Sequence, residues 1–216
     1  MAGSGKRFLE AGYKDPKPFI KFLNKTMIEH VVSSLKIEAR YIYIMQKKHY
    51  EQYEVKKILN NLNYNYEILF TEKETRGAAE TSLIAKNLIN NNNKLIIVNS
   101  DQIVEWDEKK FLKILNNEKC DGVIALFKDT DPKWSFAKIL NKKIIKVAEK
   151  EPISDDATVG IYGWKYGSDY VKYAETMINK NIKTNNEFYI CPVYNEAIND
   201  NKNIYPFFVN KMFGVG

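Results

Sequence analysis

Apolar residues recur at helical spacing directly after Thr26, and Glu29 stands three positions beyond that threonine. A threonine followed at this distance by a glutamate is a capping box, so a helix is predicted to begin here. The same kind of pattern predicts strands over 41–45, 67–70, 94–98 and 122–127, and helices over 53–62, 78–89 and 107–115. Strand and helix alternate up to residue 127, which favours a parallel sheet covered by helices on both faces.

The pattern changes beyond residue 127, where two β-rich runs flank Asn141 and Lys142 and predict a hairpin over 135–148. Further strands are predicted over 159–164 and 204–209, and further helices over 168–178 and 193–198. A chain of 216 residues is long enough for one domain with a small appended lobe. We therefore expect residues 1–216 to form a single α/β domain.

Composition and charge limit the kinds of binding partner and the cellular location that we expect. No apolar run reaches the roughly 20 residues that a membrane helix needs, so we expect a cytoplasmic protein with no membrane partner. The net charge of +6 comes from scattered lysines without an arginine-rich stripe, which favours anionic metabolites over nucleic acid. Cys120 and Cys191 lack a CxxC spacing and are expected to be reduced, structural residues. The sequence is compatible with a homo-oligomer and does not decide the oligomeric state.

The first residues carry the clearest chemistry. Gly3 and Gly5 let the backbone turn tightly and bring its N–H groups close to an anion. Lys6 and Arg7 follow at once, and Lys17 stands between two prolines that fix its backbone. Three cations and a row of backbone donors in so short a span predict a cradle for a polyphosphate. A plain glycine turn is the alternative.

The run Ala2-Gly3-Ser4-Gly5-Lys6-Arg7-Phe8, followed by Pro16-Lys17-Pro18-Phe19, resembles the signature of the sugar-phosphate nucleotidyltransferases. Those enzymes join an NTP to a phosphorylated small molecule and release pyrophosphate. The resemblance implies a GT-A-like or Rossmann-like fold, with a mixed, mostly parallel sheet flanked by helices and the hairpin as an acceptor lobe. It covers nearly the whole chain, and it implies a first strand and a C-terminal segment that are missing here.

The resemblance also implies roles for individual residues. Arg7 and Lys17 are the expected catalytic residues: Arg7 would hold phosphate oxygens with its planar fork, and Lys17 would bridge the two reacting phosphates. A surface salt bridge is the alternative for each. The residues expected to bind the nucleotide are Ala2, Gly3, Ser4, Gly5, Lys6, Arg76, Gly77, Ala78, Thr81 and Ser100.

Asp101 comes directly after the apolar strand over 94–98, where ligands bind in open α/β sheets. It is similar to the magnesium aspartate of the family, and a carboxylate is the hard oxygen ligand that Mg²⁺ prefers. A helix or turn cap is the alternative. Relatives supply a second carboxylate near the C-terminus, whereas residues 207–216 contain none.

Residues 75–81 resemble the base-reading loop of the family, in which small residues let the base lie against the backbone. Thr81 or Arg76 would hydrogen-bond a pyrimidine edge, and the Arg-Gly-Ala-Ala run is most similar to that of a cytidylyltransferase, which favours CTP. A plain helix start is the alternative.

The segment 148–152 resembles the Glu-Lys-Pro segment that holds the second substrate in relatives, although Glu151 interrupts it. The residues expected to bind the acceptor are Glu149, Lys150, Gly160 and Glu187. The acceptor implied is a phosphorylated metabolite, either phosphoglutamine-like or a sugar 1-phosphate, used in capsule or surface polysaccharide synthesis.

Two other functions stay open at this point. A GT-A glycosyltransferase would use a finished nucleotide sugar, but such enzymes carry Asp-x-Asp where this chain has Asn99-Ser100-Asp101. An RNA-binding or nucleotide-sensing module is favoured only by the basic charge. Release of pyrophosphate from an NTP would distinguish a nucleotidyltransferase from a glycosyltransferase. Salt-dependent RNA binding without turnover would support the RNA-binding module.

Overall fold

The computed structural model describes residues 12–214, and the chain divides into two compact units. Among the described residues, unit 1 comprises 12–75, 100–104 and 213–214, and unit 2 comprises 76–99 and 105–212. Within residues 12–214, no helix is both long and apolar enough to cross a membrane.

The elements follow the predicted order closely. The helices are α1 (Met27–Leu35), α2 (Lys47–Gln52), α3 (Val55–Asn60), α4 (Ala78–Ser82), α5 (Lys86–Ile89), α6 (Glu108–Leu115), α7 (Gly167–Asn179) and α8 (Val193–Asn199). The strands are β1 (Lys21–Phe22), β2 (Lys25–Thr26), β3 (Tyr41–Gln46), β4 (Tyr66–Thr71), β5 (Leu95–Val98), β6 (Gln102–Glu105), β7 (Gly122–Lys128), β8 (Ser135–Leu140), β9 (Lys143–Glu149), β10 (Asp156–Trp164), β11 (Ile204–Phe208) and β12 (Lys211–Gly214). Single 3₁₀ turns span Lys17–Phe19 and Leu83–Ala85.

Unit 1 is built on α1 and the parallel pair β3–β4. The predicted capping box is confirmed: Glu29 N donates to Thr26 Oγ1, and the Glu29 carboxylate accepts from Thr26 N at 2.7 Å. Apolar side chains from the 3₁₀ turn, α1, β3 and α3 form one core. Its buried members are Phe19, Ile28, Val32, Tyr43, Met45, Val55 and Leu59.

Unit 2 is built on a six-stranded sheet with the order β5-β10-β7-β11-β9-β8. Strands β7 and β11 run parallel to each other, and the other neighbouring strands in this sheet run antiparallel. The balance of strand directions therefore differs from the mostly parallel sheet that was expected. The reason is the long strand β10, which inserts between β5 and β7 and runs against both. Alternation of strands and helices along the chain does not reveal such an insertion.

Strand β10 changes partners along its length. Its first part pairs with β7 and, through Ala157 and Phe136, with β8, while residues 161–164 pair with β5 and β7. The register shifts between Thr158 and Tyr162, and Gly160 in this shift has φ +79°. Glycine adopts such a left-handed conformation without steric cost, so its presence permits the change of partner.

The β8–β9 hairpin has the predicted turn, because Asn141 and Lys142 both have positive φ, at 48° and 66°. This is the conformation of a two-residue type I′ turn. Next to the turn, Leu140 faces Lys143, but the register shifts by one beyond Lys138. Ile145 is the extra residue of a β-bulge. Because of it, Ser135 at the base of the hairpin faces Glu149.

The predicted helix over 78–89 is interrupted by the 3₁₀ turn Leu83–Ala85. The Ser82 hydroxyl at the break donates back to the Ala79 carbonyl at 2.7 Å and contacts the Tyr170 hydroxyl. Such a local bond competes with the regular helical pattern. Helix α2 (Lys47–Gln52) and the short strands β1, β2, β6 and β12 were not predicted.

Both cysteines are buried and free, as the sequence predicted. Burial raises the pKa of the Cys120 thiol to about 11. A thiol with so high a pKa stays protonated at neutral pH, which agrees with a structural role.

Candidate functional site

The predicted phosphate loop lies outside the described residues. Its members are Ala2, Gly3, Ser4, Gly5, Lys6 and Arg7. Their proposed roles stay predictions from the sequence.

Lys17 opens the 3₁₀ turn of unit 1, and this turn holds its backbone. Phe19 N donates to the Pro16 carbonyl at 2.8 Å, and the Phe19 ring stacks on Tyr53 with ring centroids 4.8 Å apart. The turn is thus fixed at one end by proline and at the other by a buried ring. The Lys17 ammonium lies 2.7 Å from Asp101 Oδ2. The structure therefore brings together the two residues predicted to meet phosphate and metal.

Asp101 follows β5 in the turn before β6, next to the half-buried Ser100. Its second oxygen, Oδ1, is buried and has no hydrogen-bond partner among residues 12–214. A buried carboxylate oxygen without a donor is costly unless a cation satisfies it. Residues 12–214 contain no group of three or more His, Cys, Asp or Glu placed to hold a metal. Asp101 Oδ1 therefore offers one hard oxygen ligand to a cation, as the predicted magnesium role requires.

The predicted base-reading loop begins unit 2 and is held by its own contacts. Arg76 Nε and Nη2 both donate to Glu80 Oε1, at 2.9 and 2.6 Å. The guanidinium carbon lies 5.1 Å from the centroid of the buried Phe188 ring. Thr81 Oγ1 donates to the Gly77 carbonyl at 3.1 Å. The two side chains expected to read a pyrimidine edge are thus held within the loop, and the exposed Ala78 lies beside them.

Gly77 is required where it stands. Phe188 N donates to the Arg76 carbonyl at 2.7 Å, and Ala79 N donates to the Phe188 carbonyl at 2.9 Å. These two bonds draw the backbones together, so a Cβ on Gly77 would lie 2.5 Å from both the nitrogen and the oxygen of Phe188. The φ of +131° also favours glycine. The loop and the segment around Phe188 therefore form one hydrogen-bonded structure.

Glu149 ends β9, where the bulged register sets it opposite Ser135. The Ser135 hydroxyl donates to Glu149 Oε2. Burial raises the pKa of Glu149, the Ser135 hydrogen bond and the Lys150 charge oppose that rise, and the charge of Glu187 adds to it. Two of the predicted acceptor residues, Glu149 and Glu187, thus lie close enough to influence each other.

Glu187 is exposed after a tight turn in which Asn185 and Asn186 have φ of 48° and 64°. Its backbone exchanges hydrogen bonds with Thr184, at 2.9 and 3.1 Å. Asparagine tolerates positive φ better than most residues, so the local sequence explains this turn. The turn directs the chain back toward Phe188.

Lys150 has a positive φ of 57°, and its backbone N–H donates to the Trp134 carbonyl at 3.0 Å. Its ammonium donates to the Tyr189 hydroxyl at 2.7 Å and lies 4.7 Å from the centroid of that ring. The structure therefore groups Lys150 with Glu149 and with the segment that carries Glu187. Gly160 lies on strand β10, and its carbonyl accepts from Asn99 N at 2.8 Å.

The sequence assigns no role to Ser135, and the resemblance implies for Tyr189 only that residues 186–189 lie where relatives close the acceptor pocket. The hairpin was predicted, but a regular two-residue hairpin would set Ser135 opposite Ala148, and the bulge was not foreseen. Tyr189 lies in the segment whose neighbour Glu187 was predicted. The bond between Lys150 and Tyr189 joins positions 39 apart in sequence, so no local pattern could have found it.

The fold is that of solved nucleotide-sugar enzymes. A nucleoside-diphosphate-sugar pyrophosphorylase from Vibrio cholerae matches with TM-score 0.86 and 26% identity, over 100% of this chain and 93% of its own. The inositol-1-phosphate CTP transferase from T. maritima matches with TM-score 0.74 over 96% of this chain and 82% of its own. Its identity is 17%, so it supports the fold alone. The class is therefore a mixed α/β nucleotidyltransferase fold, as predicted.

The chain belongs to the nucleotidyl transferase family, whose sequence model matches residues 1–212. It is similar to the bifunctional protein GlmU of Methanocaldococcus jannaschii, with 25% identity over 71% of this chain and 42% of that protein. It is also similar to the mannose-1-phosphate guanylyltransferase catalytic subunit beta of Dictyostelium discoideum, with 26% identity over 75% and 47%. The chain spans less than half the length of these two relatives. The family predicted from residues 2–19 is confirmed.

Proposed function

We propose that the protein transfers a nucleoside monophosphate from an NTP to a phosphorylated small molecule and releases pyrophosphate. The family supports this class of reaction. The observation that carries the proposal is the contact between Lys17 and Asp101, at 2.7 Å after strand β5. The cation that would meet phosphate and the carboxylate that would hold metal are in contact there, which supports a shared role in the reaction.

The chemistry needs charge neutralisation more than it needs a base. The attacking phosphate oxygen is already ionised, so positioning and electrostatic stabilisation supply most of the rate. Lys17 would neutralise charge between the two reacting phosphates. Asp101 would hold Mg²⁺, which supplies positive charge at the triphosphate when bound. Arg7 would hold the leaving pyrophosphate.

We propose the β8–β9 hairpin and residues 184–189 as the acceptor side. Lys150 would meet the acceptor phosphate, with its ammonium oriented by Tyr189. Glu149 would accept hydrogen bonds from hydroxyl, amide or amine groups of the acceptor, because an ionised carboxylate only accepts. A phosphoglutamine-like molecule and a sugar 1-phosphate both offer such donors beside a phosphate. The product would serve capsule or surface polysaccharide synthesis.

CTP is the proposed nucleotide. The support is the small Arg76-Gly77-Ala78-Ala79 run, with Ala78 exposed beside the backbone of the loop. A flat pyrimidine would lie against this surface without displacing a side chain. Because Arg76 is held by Glu80, recognition of the base edge would come from backbone groups of the loop.

The test is a pyrophosphate-release assay with four NTPs against a panel of phosphorylated acceptors and Mg²⁺. We expect release with CTP and one class of acceptor, and loss of release in Lys17→Met. Lys21→Met is the matched control, since Lys21 is exposed nearby and has no role in the proposal. Absence of release with every NTP and acceptor, or equal rates in Lys17→Met and Lys21→Met, would contradict the proposed function.

A further inference from the structure

The ion pair between Lys17 and Asp101 joins two residues whose proposed ligands have opposite charge. The Lys17 ammonium and Asp101 Oδ2 lie 2.7 Å apart, with 19% and 32% of the two side chains exposed. We infer that this pair is the resting form of the site, which resists metal alone and polyphosphate alone and opens when both arrive together. The inference rests on the proposed function, because it takes metal and polyphosphate as the ligands.

Charge explains the resistance. A divalent cation bound at Asp101 Oδ1 would lie beside the Lys17 ammonium, which holds Oδ2 at 2.7 Å, and would be repelled by that positive charge. A metal-free polyphosphate at Lys17 would have to separate the ammonium from Asp101 and leave that carboxylate without a counter-ion. A metal–polyphosphate complex brings the replacement for each partner, so neither charge is left unpaired. Partly buried charges are screened less than exposed ones, which makes the pair costly to open.

The local structure keeps the pair in place. The 3₁₀ turn Lys17–Phe19 is held by Pro16 and by the buried Phe19 ring, so the lysine backbone does not move freely. Asp101 Oδ1 is buried and lacks a hydrogen-bond partner among residues 12–214. The Lys17 ammonium is thus the donor that the structure gives to this carboxylate within the described chain. Removing either charge should take away the ion-pair partner that the other must give up for its own ligand.

The first experiment measures binding of inorganic triphosphate in excess EDTA by calorimetry. We expect Asp101→Asn to bind metal-free triphosphate on the order of tenfold more tightly than the natural protein, within the usual range of coupling between sites. The second experiment measures binding of Mn²⁺ alone by electron paramagnetic resonance. We expect Lys17→Met to bind Mn²⁺ more tightly by a similar factor.

Simple charge effects at a distance would also shift these affinities, so two controls are needed. Glu67→Gln removes one negative charge from another ion pair of unit 1, that of Arg40 with Glu67 at 3.6 Å, and should leave triphosphate binding unchanged. The double variant Lys17→Met/Asp101→Asn completes a mutant cycle. In the Lys17→Met background, Asp101→Asn should no longer improve triphosphate binding.

The outcomes separate the two proposals. Unchanged or weaker triphosphate binding in Asp101→Asn, unchanged or weaker Mn²⁺ binding in Lys17→Met, or strictly additive effects in the cycle would overturn the resting pair. If turnover still falls in both single variants, the proposed function would survive that result. Full turnover in both single variants would instead contradict the proposed function at these residues, whatever the binding data show. Circular dichroism of each variant checks that it is folded.

Discussion

Glu149 is a half-buried carboxylate in unit 2 with one hydroxyl donor, Ser135, and one adjacent cation, Lys150. Its partial burial dominates and raises its pKa. Nearby Tyr162 and Cys191 are fully buried, and burial raises the pKa of each well above its ordinary value. Those two groups therefore stay neutral at physiological pH. Of the three acidic groups Glu149, Tyr162 and Cys191, Glu149 is the one whose negative charge the proposed acceptor would meet.

Glu149→Gln should weaken use of the acceptor and leave nucleotide binding nearly intact. Loss of a hydrogen bond to a charged group costs about 1.5–3 kcal/mol, so the acceptor KM should rise while the nucleotide Kd stays constant. Steady-state kinetics and calorimetry measure the two separately. Glu151→Gln is the control, since Glu151 is exposed two residues away. A collapse of nucleotide affinity with an unchanged acceptor KM would show that Glu149 belongs to the nucleotide side.

Ser135→Ala should move the acid limb of the pH profile upward. The Ser135 hydroxyl stabilises the ionised form of Glu149 and lowers its pKa, so its removal raises that pKa further and the active ionised form appears at higher pH. The measurement is kcat/KM for the acceptor against pH. Ser135→Thr keeps the hydroxyl and should restore the original profile. An acid limb that does not move in Ser135→Ala would rule out Glu149 as the titrating group.

The same shift has a consequence for stability. Because the pKa of Glu149 in the folded protein lies above its ordinary value of 4.5, the folded state binds this proton more tightly than the unfolded state. Stability from this group is therefore present below pH 4.5 and declines as the pH rises through the folded pKa. Glu149→Gln should remove this decline.

At the scale of elements, the contact between the base loop and Phe188 decides how α4 begins. Gly77 caps the helix with a φ of +131°, and Arg76 and Ala79 bond to the Phe188 backbone on either side of it. The start of α4 and residues 184–189 are thus tied by backbone groups and not by side chains alone.

Gly77→Ala should destabilise the protein and lower nucleotide affinity. The new Cβ would lie 2.5 Å from Phe188 backbone atoms, and an L-residue is strained at this φ, so a loss of more than about 1 kcal/mol is expected. Thermal unfolding and calorimetry with nucleotide measure both effects. Ala78→Ser adds an atom at the exposed neighbouring position and should leave the melting temperature nearly unchanged. Equal melting temperatures for Gly77→Ala and the natural protein would show that the two segments separate readily.

The sequence could predict those elements whose cause is local. The capping box at Thr26, the turn at Asn141 and the cap of α6 at Asp107, which accepts from Lys110 N at 3.0 Å, depend on residues close in sequence. The direction of β10 and the pairing of Ser135 with Glu149 depend on strands that meet only in the folded sheet. Periodicity carries no information about which strand lies beside which, so these features required the structure.

The features of the candidate site also divide into those that the sequence predicts and those that only the structure reveals. The flanking prolines singled out Lys17 and the preceding apolar strand singled out Asp101, whereas Glu149 and Lys150 were implied by the resemblance to the family. The bonds between Lys17 and Asp101, 84 positions apart, and between Lys150 and Tyr189 are long-range and were not predicted. The resemblance at residues 2–19 predicted the family, which the match over residues 1–212 confirms.

At the scale of the whole molecule, ligand binding should raise stability by mass action. A ligand at 100 times its Kd stabilises the state that binds it by about 2.7 kcal/mol, so CTP with Mg²⁺ should raise the melting temperature clearly. Metal-free CTP in EDTA should raise it far less, because Lys17 is paired with Asp101. Differential scanning fluorimetry measures both, with Mg²⁺ alone as control. Equal shifts with and without metal would contradict a role for metal in nucleotide binding.

Because of the bulge at Ile145, strand β9 has one residue more than a regular pairing with β8 requires. The outer part of the hairpin keeps the register set by its turn, and the inner part keeps Ser135 opposite Glu149. Deleting Ile145 would leave both sets of partners unchanged, since the two registers differ by that one residue. Loss of this residue during evolution would therefore keep the strand pairing of the hairpin, whereas an added residue would need a second bulge. Strand β9 can therefore lose this one residue without turning the Glu149 carboxylate to the other face.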